Sequence, residues 1–362
     1  MSRQFPRKIK RIVIKIGSGI IANYYMNPKK SCFQSVIKQI GQMRKKGIEV
    51  VLVSSGSIVL GLGETKQHIR PSGVASLQAL AAIGQNVLMR TYSDLLKKSK
   101  LCCAQVLLTW DDFDNRLRYK NARHTIDKIL SYGVVPIINE NDTISTDEIK
   151  FGDNDRLSAL VASLIQADLL VMLSDVDGLY EVKNGKKKVF KEIREVTKEI
   201  EGLAGGTDKK HISKGGMITK LEAVKIATHA KIPCIIANGE TLNVLTDILK
   251  GKRIGTFFME KEEKLLSRRH WISFGAKSKG KIIIDNGAKE VLLKGGKSLL
   301  LPGVVDWEGH FRKEDVVIVS SQDGQEIARG IINYSVTDLH KIEDRKQKQE
   351  VIHCNNMVLS QR

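Results

Sequence analysis

Lys15-x-Gly17-Ser18 is the first stretch whose residue types and spacing could do chemistry. A lysine at the carboxyl end of a strand, followed at once by small residues, points into the ligand crevice of a parallel sheet. Backbone N–H groups of small residues can approach a phosphate closely, and the lysine adds positive charge. Ser54-Ser55-Gly56-Ser57 closes a second strand, where its hydroxyls could cap a helix or donate to a ligand. Asn139-Glu140-Asn141-Asp142 and Phe151-Gly152-Asp153-Asn154-Asp155 follow, and the whole pair spans only 139–155. Their amides and carboxylates could orient an amino group or a Mg²⁺ ion; read as scaffold, they are two Asx-rich loops and an N-cap. Ser174-Asp175-x-Asp177-Gly178 closes another strand. Lys214-Gly215-Gly216-Met217-Ile218-Thr219-Lys220 opens a helix, where a double glycine lets amides face a phosphate. Lys220, one turn in, could share that phosphate with Lys15.

Two other glycine patterns fail on context. Gly17-x-Gly19-x-x-Ala22 imitates a dinucleotide fingerprint, but the second strand ends Val53-Ser54-Ser55-Gly56 with no acidic residue to hold a ribose. Gly296-Lys297-Ser298 imitates the end of a P-loop, but Val291 stands where the first glycine belongs.

The elements that must position these groups alternate. Strands are expected at 11–16, 48–53, 101–108, 134–138, 169–173 and 232–237. Helices are expected at 31–46, near 56–62, at 72–98 and at 217–230, the first opened by a Ser31…Gln34 capping box. Strand–helix alternation means βαβ units and a mainly parallel sheet, and unbroken Val/Ile/Leu runs suit strands buried on both faces. The Lys-rich stretch 183–191, turning at Asn184-Gly185, reads as an exposed hairpin. After a charged stretch at 260–268 the grammar changes to short strands at 281–284, 316–320 and 325–332, with Asp323-Gly324 as a tight turn. The expected division is an α/β domain over 1–263, a linker over 264–277 and a small, mostly β domain over 278–362.

Composition sets the class. With 42% hydrophobic and 27% charged residues, a 362-residue chain is globular rather than disordered or fibrous. Its apolar runs are strand-sized, too short to span a membrane, and the basic first eleven residues lack the apolar core of a secretory signal. The net charge is +19, divided as +14 over 1–263 and +5 over 264–362, so the basic excess is spread and favours anionic partners. Five cysteines with no C-x-x-C offer neither a disulfide framework nor a zinc site, which points to a reduced, cytoplasmic setting. Cys102, Cys103 and Cys234 lie in apolar runs and are expected to pack as small core residues.

Taken in order, these stretches resemble the amino-acid kinase family, and within it the glutamate kinases that carry a C-terminal PUA domain. The resemblance rests on 13–17 (VIKIG), Ser54-Ser55-Gly56, 77–85 (LQALAAIGQ), 105–109 (QVLLT), Asn121-Ala122-Arg123, 138–142 (INEND), 152–155 (GDND) and 215–220 (GGMITK). In the tail, 285–288 (DNGA), 297–303 and 323–335 resemble a PUA domain. The chain departs from the family pattern at Ser213-Lys214 and at Cys354-Asn355.

The resemblance implies a three-layer αβα sandwich with a mainly parallel sheet. It implies a phosphotransferase with a carboxyl acceptor, moving the γ-phosphoryl of ATP to L-glutamate with Mg²⁺ as helper, at the start of proline synthesis. Lys15 and Lys220 would flank the transferred group, and Asp155 would hold both. Ser55, Asp142 and Asn154 would bind glutamate. Ser174, Asp175 and Lys214 to Lys220 (Gly215, Gly216, Met217, Ile218 and Thr219 between) would hold ATP. No residue is assigned to a protein-held metal. Family habits add proline as feedback inhibitor, a homo-oligomer and a possible glutamyl-phosphate reductase partner. Because PUA domains elsewhere bind RNA, an RNA-binding protein on a kinase-fold platform is the competing reading.

Overall fold

The continuous aliphatic runs become strands with no solvent face, and that decides the architecture. The computed structural model describes residues 3–29, 31–144, 154–183, 186–205, 216–261, 269, 271–342 and 349–360. The chain divides into two compact units, Met1–Asp112 with Arg116–Lys264, and Phe113–Asn115 with Leu265–Arg362.

Along the chain the order begins β1 (Arg11–Ile16), α1 (Ser18–Met26), α2 (Phe33–Lys45), β2 (Glu49–Ser54), α3 (Ser57–Glu64), α4 (Val74–Lys97), β3 (Cys103–Leu108), α5 (Trp110–Asp114), α6 (Arg116–Ser131), β4 (Val135–Glu140), α7 (Asn154–Leu164) and β5 (Leu169–Ser174), all in the first unit except the last two residues of α5. There follow a hairpin of β6 (Tyr180–Lys183) and β7 (Lys186–Val189), then β8 (Glu192–Ile193), α8 (Lys198–Gly205), α9 (Met217–His229), β9 (Cys234–Asn238), α10 (Val244–Leu249) and β10 (Thr256–Phe258). Eight strands form one sheet in the order β3-β4-β2-β1-β5-β9-β10-β8. Every neighbouring pair is parallel except β9 with β10.

Strand alternation sorts β1 onto two faces. Ile12, Ile14 and Ile16 join the core made with Phe33, Ile37 and Ile40 of α2, Leu88 and Tyr92 of α4, and Val244 of α10. Val13 and Lys15 therefore point to the opposite face, where α7 packs on β1, β2, β4 and β5 and against α9. The result is a helix–sheet–helix sandwich with β1 at its centre. The carboxyl ends of β1, β2, β4 and β5 are consequently neighbours along one edge.

Two glycines are required by this packing. Gly56, at the turn from β2 into α3, has φ of +100°, a left-handed value that side chains resist. Gly84 of α4 lies against α3 so closely that a Cβ there would sit 1.8 Å from the Ser57 carbonyl oxygen.

The second unit is built on a five-stranded sheet. Its strands are β11 (Gly280–Ile284), β13 (Val304–Gly309), β14 (Val316–Ser321), β15 (Glu326–Ile331) and β17 (Met357–Leu359), in the order β13-β11-β14-β15-β17. A short β12 (Leu299–Leu300) pairs separately with β16 (Glu350–Ile352). Ile282, Ile284, Val317, Val319 and Val351 line its core. Asp285 caps the helix Asn286–Leu293, its carboxylate accepting from the Ala288 N–H at 2.7 Å. Gly324, at φ +83°, makes the β14–β15 turn.

Two expectations are corrected. The capping box at Ser31 does not form: α2 starts at Phe33 with Cys32 as N-cap and no side-chain cap bond. Ser31 instead accepts from the Phe33 N–H at 3.2 Å, a local turn bond available one residue too early to cap the helix. Cys102 is exposed, because β3 is an edge strand that begins only at Cys103; Cys234, in the sheet interior, is buried as expected. Within the stretch read as linker, Trp271–Gly275 forms a π-helical turn whose Ile272 is buried.

Candidate active site

Lys15 is the penultimate residue of β1, and its face of the sheet is covered by the amino end of α7. Asp155 is the second residue of that helix. The Lys15 Nζ lies 2.6 Å from Asp155 Oδ1. Lys220, in the first turn of α9, brings its Nζ to 3.0 Å from Asp155 Oδ2. All three side chains are buried, Asp155 to 3% exposure. The Thr219 hydroxyl shares its proton between Asp155 Oδ2, at 3.2 Å, and the Gly216 carbonyl, at 2.9 Å.

Burial alone would push the Asp155 carboxyl up. The two ammonium groups and their hydrogen bonds outweigh it, holding the carboxyl below its usual range. With both oxygens taken by lysines, this carboxylate cannot serve as a base. It fixes two positive groups side by side.

The neighbouring residue faces elsewhere, since successive helical side chains are about 100° apart. Asn154 Nδ2 donates to Ser55 Oγ at 3.0 Å and to Asn139 Oδ1 at 3.1 Å. Asn139 Nδ2 donates in turn to Gln85 Oε1 at 2.8 Å. Because Ser55 Oγ accepts, its own hydroxyl proton is available to a ligand. Asp142 is held by Ser57, whose hydroxyl donates to Oδ2 at 3.1 Å. Gln85, Glu140, Asn141 and Asp142 border a cavity of about 300 Å³ between α4 and the ends of β3 and β4.

At the next strand end, Ser174 Oγ donates to Asp175 Oδ1 at 2.9 Å, with Ser174 buried and Asp175 exposed. Gly17 N–H donates to the Leu173 carbonyl, tying the β1 turn to β5. Gly216 is the N-cap of α9 and Gly17 of α1, and neither helix has a side-chain cap. Met217 is half-buried and Ile218 exposed in the first turn of α9.

The sequence candidates thus fall into two adjoining groups. Lys15, Asp155, Lys220 and Thr219 form one; Ser55 and Asn154 form the other, with Asp142 on the flanking turn. Ser174 and Asp175 bond to each other at the end of β5, the strand beside β1, with the backbone of Ser174 next to Gly17. Lys214 and Gly215, together with Asp153, lie outside the described residues. Sequence reasoning missed the parts played by Asn139, Gln85 and Ser57. Asn139 carried a signal, since it opens the polar cluster 139–142 directly after the apolar run of β4; the structure buries it to 1% exposure. Gln85 carried a weaker one, an amide closing the largely apolar helical stretch 77–85.

A family model described as "Amino acid kinase family" matches residues 10–238, and one described as "PUA domain" matches 280–354. Over 372 aligned residues the chain is 41% identical to a glutamate 5-kinase of Carboxydothermus hydrogenoformans, covering 99% of each. The chain belongs to the glutamate 5-kinases of the amino acid kinase family. A glutamate 5-kinase of Geobacter sulfurreducens is 42% identical, over 97% of this chain and 98% of its own. Among solved structures, a Giardia lamblia carbamate kinase bound to AMP-PNP superposes with a TM-score of 0.50 at 18% identity. That match covers 70% of this chain and 99% of the carbamate kinase, and it speaks for the fold alone.

This glutamate 5-kinase family member is therefore a phosphotransferase, and kinases of this family draw on ATP. No helix among the described residues is long and apolar enough to cross a membrane.

Proposed function

We propose that this enzyme transfers the γ-phosphoryl group of ATP to the side-chain carboxylate of L-glutamate, giving γ-glutamyl phosphate and ADP. One observation carries the mechanism: a single buried carboxylate, Asp155, clamps Lys15 and Lys220 together beside the amide pair Asn154–Asn139. The acceptor carboxylate is already ionised at neutral pH. A carboxylate oxygen attacks the γ-phosphorus, the bond from that phosphorus to the β–γ bridging oxygen breaks, and ADP leaves with the electron pair. No proton has to be removed, and none of the motif residues is a histidine. Catalysis is then positioning and neutralisation of charge on the transferred group.

Lys15 and Lys220 neutralise that group, and Asp155 aligns them. The uncapped amino ends of α1, at Gly17-Ser18, and of α9, at Gly216-Met217, supply N–H groups to the phosphates, with Ile218 and Thr219 completing the α9 turn. Ser174 and Asp175 hold the nucleotide. Ser55 donates to a glutamate carboxylate, and Asp142 with Asn154 receives the ammonium group. Lys214 and Gly215, outside the described residues, are assigned to ATP by the family resemblance alone.

The described residues fit Mg²⁺ as an ion carried by the nucleotide. Among the described residues no three His, Cys, Asp or Glu side chains converge, and Asp155 is fully engaged by lysines. Magnesium usually binds through one or two carboxylates plus substrate phosphates. Bound in that way, with Asp175 as a nearby carboxylate, it would add neutralisation at the β and γ oxygens.

The test is ATP turnover with hydroxylamine present, comparing L-glutamate, L-aspartate and uridine monophosphate. Hydroxylamine converts an acyl phosphate to a hydroxamate. Hydroxamate with glutamate alone is the expected result. Turnover confined to another acceptor, or none in folded protein that binds ATP, would overturn the proposal.

A further inference from the structure

We infer that Gln85 is a positioning residue: acting through Asn139, it orients Asn154 so that Asn154 offers an acceptor oxygen to the substrate's ammonium group. The inference rests on the reading of Ser55, Asn154 and Asp142 as the glutamate site.

The orientation follows from one backbone group. The Glu140 N–H, which can only donate, lies 2.9 Å from Asn139 Oδ1, so that atom must be the carbonyl oxygen. Asn139 therefore turns its NH₂ toward Gln85, where Oε1 accepts at 2.8 Å. The same Asn139 oxygen can only receive, so Asn154 meets it with Nδ2 at 3.1 Å. The second proton of that Nδ2 goes to Ser55 at 3.0 Å. Both donors of the Asn154 amide are spent inside the protein. Its Oδ1 is buried without a partner among the described residues. A buried carbonyl oxygen left open is costly and needs a donor from a ligand. An ammonium group supplies one.

Gln85 closes the far end of this chain. Asn139 is 1% exposed, so without the Gln85 oxygen its NH₂ would be a buried orphan. Asn139 would leave that arrangement, and Asn154 would lose one of the two acceptors that keep its NH₂ turned away from the substrate. The Asn154 amide could then rotate and present a donor to a cation. Gln85 acts on Asn154 only through its hydrogen bond to Asn139. It reaches Asn139 because Gly84 allows α4 to lie hard against α3.

The experiment compares wild type, Gln85→Leu and Gln85→Glu with L-glutamate and with glutarate, which keeps both carboxylates but lacks the ammonium group. Glu retains the acceptor oxygen that Asn139 needs; Leu does not. In Q85L the KM for glutamate is expected to rise roughly tenfold, with kcat and the KM for ATP within about twofold of wild type. The preference for glutamate over glutarate in kcat/KM falls by the same factor, and Q85E restores most of it. Gln85→Met carries the same expectations if Q85L fails to fold. An unchanged glutamate KM, equal losses on both substrates, or Q85E as impaired as Q85L would each overturn the inference. Wild-type enzyme with no glutamate turnover would instead overturn the site reading beneath it.

Discussion

Asp155→Asn separates the two jobs of the clamp, because it keeps the shape and removes only the charge. In the wild type, one carboxylate at 3% exposure faces two ammonium groups at 2.6 and 3.0 Å. Removing the shared partner leaves two buried like charges with nothing between them. Breaking a buried ion pair from one side costs about 3–5 kcal/mol. For a unit of this size that lowers Tm by roughly 10 °C. The lysines should also splay apart, taking charge away from the transferred group, so kcat should fall by about 10²–10³. ATP should partly reverse the stability loss, since its phosphates supply the missing anion. Saturating nucleotide should therefore raise Tm more in the variant than in the wild type.

The pH dependence has a definite sign. Asp155 is held below its ordinary value of 3.8 by the two lysines acting against burial. Its contribution is present above that value and disappears only as pH falls through the lower folded-state value. The Tm gap between wild type and D155N should stay flat from pH 8 to pH 5. Melting curves over that range, with and without ATP, check the whole chain of reasoning. A variant that melts and turns over like the wild type would refute it, as would a gap that closes between pH 8 and pH 5.

Lys220→Met leaves Lys15 and Asp155 as a neutral pair, so it should cut kcat by about 10²–10³ while changing Tm far less than D155N does; a coupled ADP assay with melting curves reads both. Gly84→Ala places a methyl 1.8 Å from the Ser57 carbonyl oxygen, which must push α3 and α4 apart at a cost of about 1–3 kcal/mol. Its urea midpoint should fall and its glutamate KM should rise, because Gln85 moves with α4. A thiol reagent on the native protein should label exposed Cys102 first. Cys234, fully buried with its thiol pushed far up by burial, should be labelled only on unfolding, as mass spectrometry of the modified peptides would show.

The framework was legible because its signals are strong and local. The runs that become β1, β2, β4, β5 and β9 are mostly apolar, and the polar clusters stand at or just beyond their carboxyl ends. Lys15, Asp155 and Lys220 were therefore legible as candidates, although 205 positions separate the two lysines. What stayed hidden depends on tertiary approach. Nothing local says that Gln85 of a long helix meets Asn139 of a strand, because the two are 54 positions apart and meet only in the folded chain. The failed capping box at Ser31 is the converse case: a local pattern was present, but the helix began two residues later. Cys102 was misplaced by reading an apolar run without knowing that its strand lies at the sheet edge.

The two halves of the site are joined by the most local relation a chain has. Asn154 and Asp155 are consecutive residues at the start of one helix, separated by about 1.5 Å of rise and 100° of rotation. That rotation sends Asp155 to the two lysines and Asn154 to the amide chain of Asn139 and Gln85. The lysines come from β1 and α9, the amides from β4 and α4, so four elements converge on two adjacent side chains. On the proposed reading, helix geometry sets the distance between the transferred phosphoryl group and the acceptor carboxylate. A reaction that needs no base gains most from such an arrangement, since its barrier depends on how two anions are held together. The +19 net charge contributes little at this range, because it is dispersed over the whole sequence. On the proposed reading, it is the two buried ammonium groups, aligned by one carboxylate, that offset the repulsion between those anions.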